Sequence, residues 1–420
     1  MAARKAYIRL LISILIYSSG FMVMFLTHTT PKVLIIMALF VWSLYPIVTG
    51  GKSTKATPFQ GDSNTQRLLS VFIVWQMLVL IRGIIFNYHI LGAVGQLINP
   101  FSILAFLLPL IVYLDPRQFD FKVLIRVLSL VGLVFVAFVW INRVNLFSYE
   151  VLDYNLMMMS DEQVDNKNIW IRSIMYVGKI FMMMGFLMFL PSYIGNKRYF
   201  FVLICWAITL FSCVIGGRRG QSVTLILMGL LSIYFYVSRK KRVGNSLKFI
   251  LITGALIAVA LYVYSSYSSM FSIMESRVDT DSRTGLYALF WNDMGSGLDW
   301  IWGRGTGGTY YCPMYEGDNY VYNRNVIESG LLFIILSGGI ISLLLYVTVL
   351  TRAVIKGLFQ SRNQLTKAFA AFITVSLFNL IPFGLPECSM TFFVVWFGVA
   401  ICGSPYYRSL SDFEIKQLFK

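Results

Sequence analysis

The chain has 420 residues, of which 57% are hydrophobic and 13% charged, with a mean hydropathy of +0.71. A soluble domain averages about 25% charged residues, so one aqueous core would not bury this much apolar surface, and soluble enzyme folds are excluded. The formal net charge of +16 would point to nucleic acid in a soluble protein, but its distribution along the chain gives another explanation.

Apolar runs approaching the roughly 20 residues needed to cross a bilayer recur throughout. They predict about twelve spanning helices, near 7–26, 33–48, 68–86, 98–114, 123–141, 173–193, 199–215, 221–237, 249–266, 328–350, 368–385 and 390–404. Arg4, Lys5 and Arg9 precede the first run without a small-residue cleavage site, so it reads as a spanning helix rather than a signal peptide. The expected fold is an all-α polytopic membrane protein forming a single integral membrane domain over 1–420, with both termini cytoplasmic.

Charge provides an independent topology test. With the connections assigned alternately to the two sides, 23 of the 35 basic residues lie inside and 14 of the 19 acidic residues lie outside. This is the positive-inside bias, and it accounts for the net charge without a nucleic-acid partner. Two outer loops are long: a smaller acidic, Met-rich one at 142–171 and a large one at 267–327, between the ninth and tenth helices. Long ordered loops often carry function.

Candidate chemistry gathers on the outer side. Eight of the ten outer basic residues are arginine, against 11 of 23 inside. The planar guanidinium fork binds phosphate oxygens in pairs, although ion pairing with the outer acids would use the same side chains. Arg82 and Lys179 fall near the outer ends of the third and sixth spans, where an intramembrane charge either serves a function or snorkels to the interface. The Gly216-Gly217-Arg218-Arg219-Gly220 turn places two arginines and permissive glycines at the start of the eighth span, whose N-terminal amides suit an anion; a plain tight connection is the simpler reading.

In the large loop, Leu286, Leu289, Phe290 and Met294 recur at helical spacing, which predicts an interfacial amphipathic helix capped by Ser282. Trp300, Trp302 and the run Gly303-Arg304-Gly305-Thr306-Gly307-Gly308 follow, a pattern that is neither a Walker loop nor a dinucleotide fingerprint. Asp279 and Asp281 read as a solvated acidic stretch in preference to a metal site. Glu328 opens the tenth span, as a macrodipole-favoured acid or as a general base. His28 and His89 are the only histidines and lie far apart in the chain, so neither a His-based triad nor a zinc site is expected. Cys312 and Cys388 both fall outside, and their pairing is left open.

Taken in order, these motifs resemble those of the O-antigen polymerase and ligase superfamily, most closely the Wzy-type polymerases. The resemblance covers about Val214 to Leu350 and rests on three features. One is the Arg218-Arg219-Gly220 turn after a mid-chain span. Another is the long outer loop carrying Ser282-Arg283 and the glycine run from Gly303. The third is a polar residue, Glu328, ahead of a glycine-containing apolar helix.

The resemblance implies a GT-C-like glycosyltransferase in the bacterial inner membrane, inverting and independent of metal or other cofactor. Such an enzyme polymerises undecaprenyl-diphosphate-linked oligosaccharide repeats at the periplasmic face, and a chain-length regulator is an expected partner. Arg219 and Arg283 would then be the leading diphosphate ligands, with Arg82, Lys179, Arg218 and Arg304 next. Glu328 would be the base or acceptor anchor, and Trp300, Trp302, Tyr310 and Tyr311 would stack on sugars. Ligases carry His-Asn where this chain has Glu328-Ser329, which favours a polymerase. A ligase and a lipid-linked oligosaccharide flippase are the alternatives.

Overall fold

The computed structural model describes residues 63–87, 108–113, 119–143, 175–215, 218–238, 282–295, 297–316, 319–382 and 384–419, together with residues 11, 12, 14, 15, 105, 117 and 146. The chain is a mostly helical, multi-pass membrane protein. Five described helices are long and apolar enough to cross a bilayer: α1 (Ser63–Asn87), α2 (Phe121–Ile141), α4 (Asn196–Ile215), α5 (Arg219–Ser238) and α8 (Gly330–Phe359). Two shorter apolar helices, α3 (Met175–Phe189) and α10 (Met390–Gly403), accompany them. The expected spans 33–48 and 249–266 and most of 7–26 lie outside the described residues, as does nearly all of the 142–171 loop. Of the span expected at 98–114, Leu108–Tyr113 is described, as a short 3-10 helix.

The chain divides into two compact units, one formed by 1–127 and 283–420 and the other by 128–282. In the second unit, α4 and α5 are joined by the Trp206 Nε1–H donating to the Leu225 carbonyl at 2.8 Å, and by the Tyr199 and Ser232 hydroxyls 2.9 Å apart. The Ser232 hydroxyl also donates to Met188 O, tying in α3. Met182, Met183 and Met184 are buried in α3 as packing residues.

The first unit is organised around α10, all of whose residues are buried. A helix apolar on every face belongs in a protein interior, and its phenylalanines explain the arrangement here. Phe393 and Phe397 pack with Phe119, while Phe369 of α9 (Gln364–Asn379) and Phe121 close on Phe397. Asn363 fixes one end: its side chain caps α9 at Thr366 N and donates to the carbonyls of Tyr407 and Leu410. Two short helices follow, α11 (Pro405–Ser409) and α12 (Asp412–Leu418), the latter opened by a Ser411/Glu414 capping box.

Helices α1 and α8 pack antiparallel. Arg352 and Lys356 donate to the Thr65 hydroxyl near one end, Phe72 meets Tyr346, and Gln76 donates to Ser342. Between α5 and α8 lie α6 (Ser282–Met294), α7 (Asp299–Trp302) and an antiparallel hairpin of β1 (Tyr310–Glu316) and β2 (Asn319–Arg324).

The hairpin corrects the all-α expectation. Its inward residues, Tyr310 and Cys312, join Phe290, Met294, Ile327, Ile335 and Leu336 in a small buried core. The helix expected from Leu286, Leu289, Phe290 and Met294 is present as α6, with Ser282 as its first helical residue and not its cap.

Candidate functional site

The residues of the large loop and of α1 converge on a break in α8. Gly339, inside this helix, takes φ 69° and ψ −176°, a conformation open to glycine and costly for side chains with a Cβ. The break releases carbonyls from the helical ladder, and the loop takes them up. Arg304 N donates to Leu336 O at 2.7 Å and Gly305 N to Ser337 O at 2.8 Å. The Trp75 indole of α1 donates to Gly338 O at 3.0 Å.

Close backbone approach explains the glycines. A Cβ on Gly303 would stand 2.5 Å from the amides of Gly338 and Gly339, and one on Gly305 would stand 2.5 Å from Gly83 N. Gly303, Gly305 and Gly307 all have positive φ. The run from Gly303 to Gly308 is therefore a backbone wedge seated between α1 and the break in α8. Its seat, not a phosphate cradle, accounts for its composition.

Arg304 stands on this wedge and donates to the protein from all three guanidinium nitrogens. Its Nε donates to Asp299 Oδ2 at 2.9 Å, its Nη1 to Asp293 Oδ2 at 2.5 Å and to Thr309 O, and its Nη2 to Asp293 O. It thereby ties the end of α6, the start of α7 and the entry to β1. Burial works against its charge, but Asp299 and Asp293 outweigh that cost and hold its pKa above the usual arginine value. The expected diphosphate ligand Arg304 thus carries a structural clamp.

Arg82 is different. From the end of α1 its Nη2 reaches Asp299 Oδ1 at 3.4 Å, a long contact, with about a third of the side chain exposed. Asp299 is shared between the two arginines, tight to Arg304 and loose to Arg82. Asp293 and Asp299 belong to none of the sequence motifs. The available signal was Asp299 standing as a lone acid in the apolar stretch from Leu298 to Trp302.

The expected sugar-stacking residues separate into two groups. Trp300 is half-buried, stacked on Trp291 at 4.4 Å between centroids, with its Nε1 donating to Gly295 O. Tyr310 is buried edge-on to Phe290, and burial, with the Cys312 thiol beside it, pushes its phenol up to about 12. A buried ring offers no face to a sugar, so Tyr310 is a core residue and not a platform. Tyr311, its neighbour on the other face of the strand, is exposed, as is Trp302, which stacks on Trp75.

Glu328 is half-buried just ahead of α8, with Ser329 at the N-cap position. Beneath the break, a cavity of about 30 Å³ is lined by Gln76, Ser337, Ser342, Tyr346 and Glu387, and the Gln76 Oε1 atom in it is buried without a partner. Cys312 and Cys388 are both buried, and neither is in a disulfide.

The remaining expected residues lie in the second unit or have side chains outside the described residues. Arg218, Arg219 and Lys179 lie in the second unit. Arg219 is exposed at the start of α5, and Arg218 closes the preceding turn through its backbone, its N–H bonded to Cys213 O and its carbonyl to Ser222. Arg283 lies in the first turn of α6, and its side chain lies outside the described residues. Asp279, Asp281, His28 and His89 lie outside them as well. Among the described residues, no group of three His, Cys, Asp or Glu side chains is placed to hold a metal ion. Compared with family models, curated proteins and solved structures, the chain matches none.

Proposed function

We propose that the protein is a GT-C-like membrane glycosyltransferase that polymerises oligosaccharide repeats carried on undecaprenyl diphosphate at the outer face of the bacterial inner membrane. In this reading both termini are cytoplasmic and about twelve helices cross the bilayer. An acceptor sugar hydroxyl on one lipid-linked unit attacks the anomeric carbon of the growing chain. The glycosidic bond forms as the bond to the diphosphate oxygen breaks, and the diphosphate leaves with the lipid. Preorganised donors aimed at that developing charge are the largest contribution a protein can make to such a step.

The observation supporting the reading most is the convergence of Arg82, the Trp-rich α7 and the glycine wedge at the break in α8. The glycine wedge and the apolar helix after Glu328 belong to the resemblance, and Arg82, from outside it, contacts Asp299 beside them. The Arg82 side chain, a third exposed, is available to phosphate there, and the exposed ring of Tyr311 follows the wedge in sequence. Arg219 and Arg283 remain the leading diphosphate ligands, Lys179 and Arg218 are secondary ones, and Glu328 is the candidate base or acceptor anchor. Arg304 and Tyr310 are reassigned to supporting roles. No metal or cofactor enters the scheme.

Replacing Arg219 or Arg283 by Ala should abolish the glycan ladder while protein remains in the membrane. A full ladder from both variants removes the diphosphate role.

A further inference from the structure

We infer that α7 and the turn on either side of it form a re-entrant elbow whose exposed face sits in lipid, although the sequence places it in an extramembrane loop. The first observation is depth. Between Glu328 and Arg352, α8 carries no charged residue, a stretch of 23 residues or about 34 Å of helix, enough to cross a hydrocarbon core of about 30 Å. The seat of α7 on this stretch, at Gly339 against Ile301 O, is 13 residues, or about 20 Å, from Arg352. The elbow therefore meets α8 inside its apolar span. The Trp302 ring reaches further, stacking at 5.2 Å on Trp75 in α1.

The second observation is the exposed surface. Leu298, Ile301 and Trp302 are 70%, 43% and 45% exposed, and their i, i+3 and i+4 spacing puts them on one helical face. Helix α1, on which Trp302 stacks through Trp75, also carries exposed apolar residues, among them Leu78 and Ile81. Asp299, the one charge of α7, bonds to Arg304 and Arg82.

The third observation is backbone satisfaction. Irregular backbone survives at membrane depth only when its polar groups are bonded within the protein. Each N–H from Trp300 to Thr306 has a protein acceptor: Gly297, Leu298 twice, Asp299, Leu336, Ser337 and Val79 in turn. A loop standing in water has no such requirement. The occupant of the exposed face is accordingly the acyl and interfacial region of the bilayer.

The test is spin-label accessibility in proteoliposomes of phosphatidylethanolamine and phosphatidylglycerol. Leu298→Cys and Ile301→Cys are labelled in the full chain, with Tyr322→Cys on the hairpin as a water-facing control. The five native cysteines are buried and remain in place, and unsubstituted protein gives the background. Labels at 298 and 301 should collide more with oxygen than with a nickel chelate, the reverse of the label at 322. Nickel accessibility at 298 or 301 equal to that at 322 overturns the inference. Shielding from both agents also overturns it, because a protein surface then covers the face. If one variant fails to accumulate, the other carries the measurement.

Discussion

Gly339 of α8 lies directly beneath the carbonyl oxygen of Ile301, so close that any Cβ on it would overlap that atom. This approach sets where α7 rests and hence where Arg82, Asp299 and Arg304 meet. Gly339→Ala should therefore unseat the loop. A backbone at φ 69° and ψ −176° is essentially confined to glycine and costs other residues about 1–3 kcal/mol, and the overlap adds to it. Thermal unfolding in detergent should show a clear drop for Gly339→Ala and little change for Gly285→Ala, whose Cβ would meet nothing within 4 Å.

Arg82 and Arg304 share Asp299 but should fail differently. Arg304→Ala breaks a half-buried clamp, with a loss on the order of 2 kcal/mol, between the values for exposed and buried pairs. Arg82→Ala removes a 3.4 Å contact at a third-exposed side chain and should leave stability almost unchanged while lowering polymer yield at least tenfold. Unfolding midpoints and glycan ladders measured on the same two variants separate the roles.

Neighbouring tyrosines of β1 give a second contrast. Tyr310 is 1% exposed and Tyr311 48%. Tyr310→Ala should cost about 3–5 kcal/mol, as large aromatic truncations in a core do. Tyr311→Ala should leave the midpoint unchanged and shorten or deplete the ladder, and a normal ladder would end its assignment to sugar binding.

Glu328→Gln retains size and hydrogen bonding while removing charge. Loss of polymer in both Gln and Ala variants supports a base, and loss in Ala alone supports an acceptor anchor. Normal chain lengths in both exclude either role.

The membrane-spanning elements were legible because their signal is apolar length, which needs no tertiary information. α1, α2, α4, α5 and α8 each overlap a run marked in the sequence. The break in α8 was hidden because Ser337-Gly338-Gly339 interrupts neither the apolar run nor its length; only the loop seated on it gives φ 69° a reason. The hairpin is not legible because Tyr310 and Tyr311 read as sugar-stacking residues of a loop, and their two-residue alternation becomes visible only with the pairing of Tyr310 to Arg324. Arg304 reads in the sequence as a diphosphate ligand, because its acids sit five and eleven positions earlier, where no local pattern links them to it. Loop arginines look alike in sequence whether they hold a carboxylate or wait for a phosphate.

The central claim is catalytic and calls for a reconstituted reaction. Purified protein in lipid should be incubated with lipid-linked repeat units, with no metal and no nucleotide sugar added, and the products resolved by size. The account predicts a series of longer lipid-linked glycans, absent with Arg219→Ala protein. Repeat units returned at unchanged length by folded protein, or moved across the bilayer without elongation, would contradict it.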